Sequence, residues 1–409
     1  MLKRYLSTLP DAHRYTFVHL YLDIAWFGVL NGTTLTFLNV YAARLGASGV
    51  QIGLLASLPA LVNLLLALPA GRWLENQDVH KAVFWTSVFY RLAYFMFVFL
   101  PWLFAPPLQI QALIWLSLLM AIPLTPLAVG FNALFAIAVP EDWRAHVVGV
   151  RNALFSLTFI LSTLIGGYLL KRLPFPSGYQ VVFALGAWGA AMSSLHLYFV
   201  RPAQLEPKVT QERSSPRSWL DALRMDIWRT PFSRVLLSLT LFHFVQYLAI
   251  PLFPLYFVNH LHLGDDQIGI GTALFYLTVM LNSTRLHYWV RRFGHKGVTG
   301  LGMMGMGFYP LLLSHSTQAW QYYGISILGG LFWALAGGAY ANYMLEHIPS
   351  DDRPAYLAWY NLNLNASILI GSLLGPAFAD LIGISLALFV IGLLRMIAGY
   401  VILKQADQG

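Results

Sequence analysis

Apolar residues run through this chain in long unbroken stretches rather than in the alternation of a half-buried sheet. Twelve segments stand out, at about 15–43, 50–70, 82–104, 108–139, 147–170, 178–200, 233–259, 267–289, 297–315, 319–345, 355–380 and 383–403. A helix needs ~20 apolar residues to cross ~30 Å of hydrocarbon, because backbone groups find no water there and must pair within the segment. The pattern therefore predicts an all-α polytopic membrane protein with twelve transmembrane helices. It excludes a β-barrel, whose strands are about ten residues long and alternate. The first span is too long for the core of a cleavable leader and has no small-residue cleavage site after it, so it is expected to stay as an anchor.

Composition agrees: 58% of the 409 residues are hydrophobic, 15% aromatic and 10% charged. Charge placement then orients the chain. With the N-terminus inside, the inner connections hold most of the 25 Lys and Arg, while the outer ones hold Arg44, Lys171 and Arg172. Both termini are expected in the cytoplasm by the positive-inside rule. The net charge of +8 thus reflects topology, and no nucleic-acid partner is expected. The absence of cysteine excludes disulfides, thiol catalysis and Cys-ligated metal.

The longest polar stretch, 201–232, contains Pro202, Pro207, Pro216 and Pro231 and divides the chain into residues 1–200 and 233–409. Within this linker, Trp219, Leu220, Leu223 and Ile227 fall near one helical face, which predicts a short interfacial helix over Ser218–Arg229. The two halves repeat one another. Gln51-Ile52-Gly53 recurs as Gln267-Ile268-Gly269, an offset of 216, and Trp73 falls on Trp289. Pro140, Asp142, Arg144, Asn152 and Gly166 recur as Pro349, Asp351, Arg353, Asn361 and Gly375, an offset of 209. Two ordered matches bracketing the same numbered spans mark an internal repeat.

Two parallel six-span repeats joined by an inner loop suit a transporter with its site at the repeat interface. Over its whole length the sequence resembles the major facilitator superfamily (MFS). The loop after span two, Gly71-Arg72-Trp73-Leu74-Glu75 through His80-Lys81, is similar to the family's cytoplasmic motif, with Glu75 in place of Asp. In the second half Gly294-His295-Lys296 keeps the end of that motif. The resemblance implies a cytoplasmic gate at Gly71, Arg72, Glu75, Arg144 and Arg353, with Glu75 latching onto the start of span eleven near Pro354. A glycine there would serve close approach or a left-handed cap. It also implies a cavity lined by spans one, four, seven and ten, a monomer, and residence in the plasma (inner) membrane.

Ionisable groups inside hydrocarbon are functional candidates by default. Asp23 lies nine residues after Arg14, ~13 Å along a helix, and shares a stripe with His19 and Thr34. The pair Asp23 and His19 is the candidate for ion coupling; a structural pairing of Asp23 with His19 or with a neighbouring basic side chain is the alternative. Span seven carries His243, Gln246 and Tyr247 on one face, followed by Pro251 and Pro254, which favour bending. With Asn132 in span four and Trp333 and Tyr340 in span ten, these are candidate solute contacts. Asn152, Ser156 and Thr163 of span five match Asn361, Asn365 and Ser372 of span eleven, either facing solute or bonding between helices. Gly371 and Gly375 predict close helix approach. Arg151 and Arg395 either neutralise an acid or snorkel to the interface, and Glu346 is expected to pair with Arg353 at the surface.

No Walker motif, HExxH, EF-hand loop or GxSxG elbow occurs. His260 and His262, the tightest histidine pair, read as solvated rather than metal-binding. The expectation is not an enzyme but a secondary transporter of a small, neutral or weakly charged organic solute (sugar, metabolite or drug class). It needs no cofactor or metal, with a proton or Na+ gradient as the driving force and export favoured over uptake. The competing class is a non-transporting or lipid-handling protein of the same fold: flippase-like factor, sensor or assembly partner. Partners are the solute and membrane lipids.

Overall fold

The computed structural model describes residues 11–201, 224–349 and 352–405. Among them the regular secondary structure is helical. Nine helices among the described residues are individually long and apolar enough to cross a membrane: Gly49–Glu75, Val79–Leu103, Pro106–Ala138, Glu141–Arg172 and Ser177–Tyr198 (spans two to six), Phe232–His260 (seven), and Ala319–Leu345, Arg353–Ile382 and Ile384–Lys404 (ten to twelve). Three spans are interrupted or more polar. Span one runs Asp11–Leu30, passes through a π turn at Asn31–Leu35 and resumes at Thr36–Arg44. Span eight is Asp265–Ser283, and span nine comprises Leu286–Gly305 and Phe308–Leu313.

Span eight is shorter than the hydropathy suggests. A turn at Asn282–Arg285, with the Arg285 N–H donating to Asn282 O at 2.9 Å, separates it from the polar stretch beyond. Residues 286–293 form a short opening helix of span nine, ahead of its longer part. The two are divided at Gly294, whose φ of 66° and ψ of 170° lie where a side chain is strongly disfavoured. The glycine of the second-half motif is therefore a backbone requirement. The interfacial helix predicted over Ser218–Arg229 lies partly outside the described residues; within them, Met225–Arg229 is a 3-10 turn.

The repeated Gln-Ile-Gly tripeptides have a local cause. At the start of span two, Ser48 Oγ accepts from the Gln51 N–H at 3.3 Å, while Gln51 Oε1 accepts from the Ser48 N–H at 2.8 Å. At the start of span eight, Gln267 Oε1 accepts from the Gly264 N–H at 2.9 Å. Each Gln reaches back to satisfy a backbone donor left open at a helix N-terminus.

The chain forms two compact units: Met1–Leu205 with His262–Ala273, and Glu206–Leu261 with Leu274–Gly409. The second repeat therefore does not map wholly onto the second unit, since the opening turns of span eight cluster with unit one. The packing inside each unit repeats. Span one lies against five and six, and three against four and six; likewise seven lies against eleven and twelve, and nine against ten and twelve. Glycines set the closest of these approaches. A Cβ at Gly28 would fall 2.0 Å from Thr158 Oγ1, and one at Gly32 2.4 Å from Phe159 O, both in span five. In unit two a Cβ at Gly375 would fall 2.0 Å from Leu248 O, and one at Gly371 2.8 Å from Phe244 O. Helices in lipid associate by such close packing rather than by a hydrophobic drive.

Candidate functional site

The polar interior of unit one is built around Asp23, 3% exposed in span one. Its Oδ2 accepts from Arg151 Nη1 and Nη2 of span five, each at 3.3 Å, and its Oδ1 from Ser193 Oγ of span six at 2.6 Å. Arg91 of span three places Nη2 3.8 Å from Oδ1. Both guanidiniums are buried and further held. Arg151 donates to Leu20 O at 2.7 Å and lies 4.9 Å over the Phe131 ring of span four; Arg91 donates to Ser194 Oγ at 3.0 Å and lies 5.6 Å over Phe27. One carboxylate thus ties four helices together and faces two cations, so the cluster carries formal net charge +1 in the low-dielectric interior.

Asp23 and His19 do not form a pair. His19 turns to span six, where its Nδ1 shares a hydrogen bond of 2.9 Å with His196 Nδ1; one ring must carry that proton and the other be bare. Residues four apart share a helix face, but each side chain is drawn to the neighbour that offers a partner. Thr34, inside the π turn at Asn31–Leu35, is buried against Gly186 of the same span six. Of the alternatives for Asp23, pairing with a basic side chain is the one the structure contains. Arg151 neutralises an acid and does not snorkel. Arg395 does not snorkel either, being 3% exposed, and among the described residues it has no carboxylate partner.

Unit two holds a cavity of about 120 Å³ lined by His243, Gln246 and Tyr247 of span seven, Trp333 and Tyr340 of span ten and Tyr360 of span eleven, with apolar walls including Met303 and Leu364. Five of the predicted solute contacts therefore meet in one place. His243 Nε2 lies 3.1 Å from Tyr360 Oη, whereas His243 Nδ1 and Gln246 Oε1 are buried without a hydrogen-bond partner. Arg395 is within electrostatic reach of both His243 and Tyr247. Buried polar atoms are normally satisfied, so these two mark where a ligand group or ordered water belongs. At 120 Å³ the cavity falls below the ~300–1,000 Å³ of whole small-molecule sites. Its room is that of a single ring or small polar group. The asymmetry between repeats is concrete: Leu239, opposite Asp23 at the 216 offset, is fully buried in an apolar cluster.

The other predicted contacts lie elsewhere. Asn132, Asn152 and Asn361 are exposed and do not line this cavity. Asn365 donates to Asn361 O within its own helix at 2.8 Å. Of the residues predicted for a gate, Arg144 donates to Ala136 O and Val139 O at 2.9 and 3.2 Å, capping the carbonyl end of span four where a cation is favoured. Arg353 is exposed at the start of span eleven. Gly71 sits inside the helix Gly49–Glu75, and a Cβ there would meet nothing within 4 Å, so it serves neither close approach nor a left-handed cap. Glu346 pairs with His295 at 2.5 Å, not with Arg353. The imidazole lies beside span ten because the Gly294 kink turns the chain there.

Sequence reasoning missed Arg91 and Ser193, which complete the Asp23 cluster, and the Gly28-x3-Gly32 pair. An arginine twelve residues into an apolar span, and two glycines four apart in another, were signals of the same kind as those used for Asp23 and for Gly371 and Gly375.

Two six-span helical repeats with buried ion pairs inside the first and a polar cavity inside the second define an integral multi-pass membrane protein. The chain belongs to the Major Facilitator Superfamily, whose family model matches residues 24–247 and 235–407. It is 27% identical over 274 residues to a putative sugar efflux transporter of Deinococcus radiodurans, covering 64% of this chain and 65% of that one. It is 23% identical over 291 residues to the cis,cis-muconate transport protein of Acinetobacter baylyi, with 67% of each covered. The chain thus spans about two thirds or less of the curated relatives it matches. Its fold is similar to that of the nucleoside transporter NupG (TM-score 0.72, 12% identity, 95% of this chain and 99% of the other) and of the E. coli xylose transporter XylE (TM-score 0.71, 14% identity, 96% of each).

Proposed function

We propose that this protein is a secondary transporter that moves a small, neutral or weakly charged organic solute by alternating access, and that the cavity of unit two recognises one polar head of that solute. The observation that carries the reading is the convergence of His243, Gln246, Tyr247, Trp333 and Tyr340 on one cavity with two unsatisfied polar atoms in its wall. A hydroxyl or amide of the solute would complete both, while the aromatic rings pack on its apolar face. Family membership and the names of the relatives support transport as the activity; export is favoured by the efflux function named for one of them.

We assign ion coupling to Asp23 rather than to His19. A proton or cation taken up at Asp23 would loosen its hold on Arg151 and Arg91, giving span one two arrangements against spans three and five, the bistable element that coupling requires. The test is solute flux in liposomes of purified protein with an imposed proton or Na+ gradient, using sugars, aromatic acids and drug-like amines as probes. Accumulation should follow the gradient, and Gln246→Leu should raise KM at least tenfold. Equal flux with and without the gradient, in both wild type and Asp23→Asn, would overturn the coupling assignment. Absence of flux for every probe, with lipid scrambling instead, would overturn solute transport itself.

A further inference from the structure

A second cavity, of about 460 Å³, lies in unit one at the end where spans one and three begin and span six finishes. It is lined by Tyr15, His80, Lys81, Phe84, Trp85, Tyr198, Phe199 and Arg201, so cations and aromatic rings are interleaved in one concavity. The site is held in shape. Arg201 Cζ lies 5.1 Å over the Tyr15 ring, Thr16 Oγ1 donates to Arg201 O at 3.1 Å, and His80 Nε2 is hydrogen bonded to Tyr198 O at 2.9 Å. Asp78, the acid beside it in sequence, caps span three by accepting from the Lys81 N–H at 3.2 Å. Among the described residues the Lys81 ammonium and Arg201 guanidinium pair with no carboxylate. Above the cavity, span three exposes Trp85, Phe89, Leu92, Met96 and Phe99, spaced four, three, four and three apart and hence along one face.

Rings at the level of the head groups, cations beside them and an apolar track leading into the hydrocarbon are what a phospholipid presents in negative. We propose that this cavity binds the phosphate-bearing head group of an anionic phospholipid, with Lys81 and Arg201 on the phosphodiester and the acyl chains along the exposed face of span three. The volume lies within the range of small-molecule sites, and the ligand chemistry differs from that of the unsatisfied neutral groups in unit two.

The test uses the purified full-length chain, delipidated in neutral detergent and offered equimolar phosphatidylglycerol and phosphatidylcholine of matched acyl chains, with bound lipid counted by native mass spectrometry. Wild type is expected to retain phosphatidylglycerol in preference. Lys81→Ala and Arg201→Ala should each lower its affinity about fivefold and the double variant about 25-fold. Lys81→Arg should retain it, and Arg172→Ala, which removes a cation stacked on Tyr168 away from any described cavity, should change nothing. Size-exclusion retention confirms folding, with Lys81→Gln and Arg201→Gln replacing any alanine variant that fails it. Undiminished phosphatidylglycerol retention in the double variant, or equal retention of phosphatidylcholine by wild type, would overturn the site. Displacement of the lipid by equimolar glycerol phosphate would overturn its assignment to a lipid in favour of a soluble phosphoester.

Discussion

Replacing Asp23 by Asn preserves the volume of the side chain and its bond to Ser193, yet removes the carboxylate that faces Arg151 and Arg91. Two guanidiniums, 5% and 7% exposed, are then left with Leu20 O, Ser194 Oγ and aromatic faces as partners. Removing one member of a buried ion pair costs about 3–5 kcal/mol because the remaining charge is stranded, and here two charges are stranded rather than one. Arg151→Met has a different consequence: Asp23 and Arg91 remain, a neutral pair, and the loss is mainly the charged hydrogen bonds, about 2–3 kcal/mol. Arg91→Met leaves the shorter-range pair, Asp23 with Arg151 at 3.3 Å, and should cost least, about 1–2 kcal/mol.

The order Asp23→Asn, then Arg151→Met, then Arg91→Met is thus fixed by the net charge left behind and by the distances. Reversible unfolding in mixed micelles, titrated with sodium dodecyl sulfate, measures it. The double variant Asp23→Asn with Arg151→Met should be more stable than the sum of its parts by at least ~1 kcal/mol, since the second substitution removes a charge that the first has stranded. Additivity in that cycle, or an Asp23→Asn cost within ~0.5 kcal/mol of zero, would refute the view that the carboxylate is held by the two arginines.

Gly375→Ala should destabilise the protein by about 1–3 kcal/mol through overpacking, since its Cβ would fall 2.0 Å from Leu248 O; Gly71→Ala, with open space around it, should be neutral or stabilising by up to ~1 kcal/mol in the same assay. Gln51→Ala, which removes the N3 half of the capping box, should cost about 0.3–1.5 kcal/mol and speed hydrogen exchange locally at the start of span two. The Asp226 carboxyl, outside the spans, is held below its ordinary value by its hydrogen bond to Arg224. A depressed folded value means that this contribution is present at neutral pH and is lost as pH falls through it, below 3.8. Acid titration of Trp228 fluorescence, whose ring packs on Trp359 at 5.2 Å, should report the loss, and Arg224→Gln should flatten that transition.

How far each feature can be read from sequence depends on the kind of physics it obeys. Spans are visible because the bilayer demands a continuous apolar run, and the repeat because paired helix starts need the same local chemistry: Gln51 and Gln267 cap within three residues of themselves, so their role does not depend on the rest of the fold. Asp23 is visible for a related reason, since a charge in hydrocarbon is costly wherever the helix points. Its partners are not, because helix periodicity places His19 and Asp23 on one face without saying which neighbouring span each will meet. The answer is tertiary: span six supplies His196 to one and Ser193 to the other, while spans three and five supply the arginines. The second repeat makes the same point in reverse. Its packing partners match those of the first, yet an apolar cluster surrounds Leu239 where the first has an ion-pair network, and the polar cavity forms one turn further on, at His243. Helix pairing inherited by both repeats therefore leaves each free to place different chemistry on equivalent helices. A single transport cycle needs that freedom if solute and coupling ion are bound by different halves of the molecule.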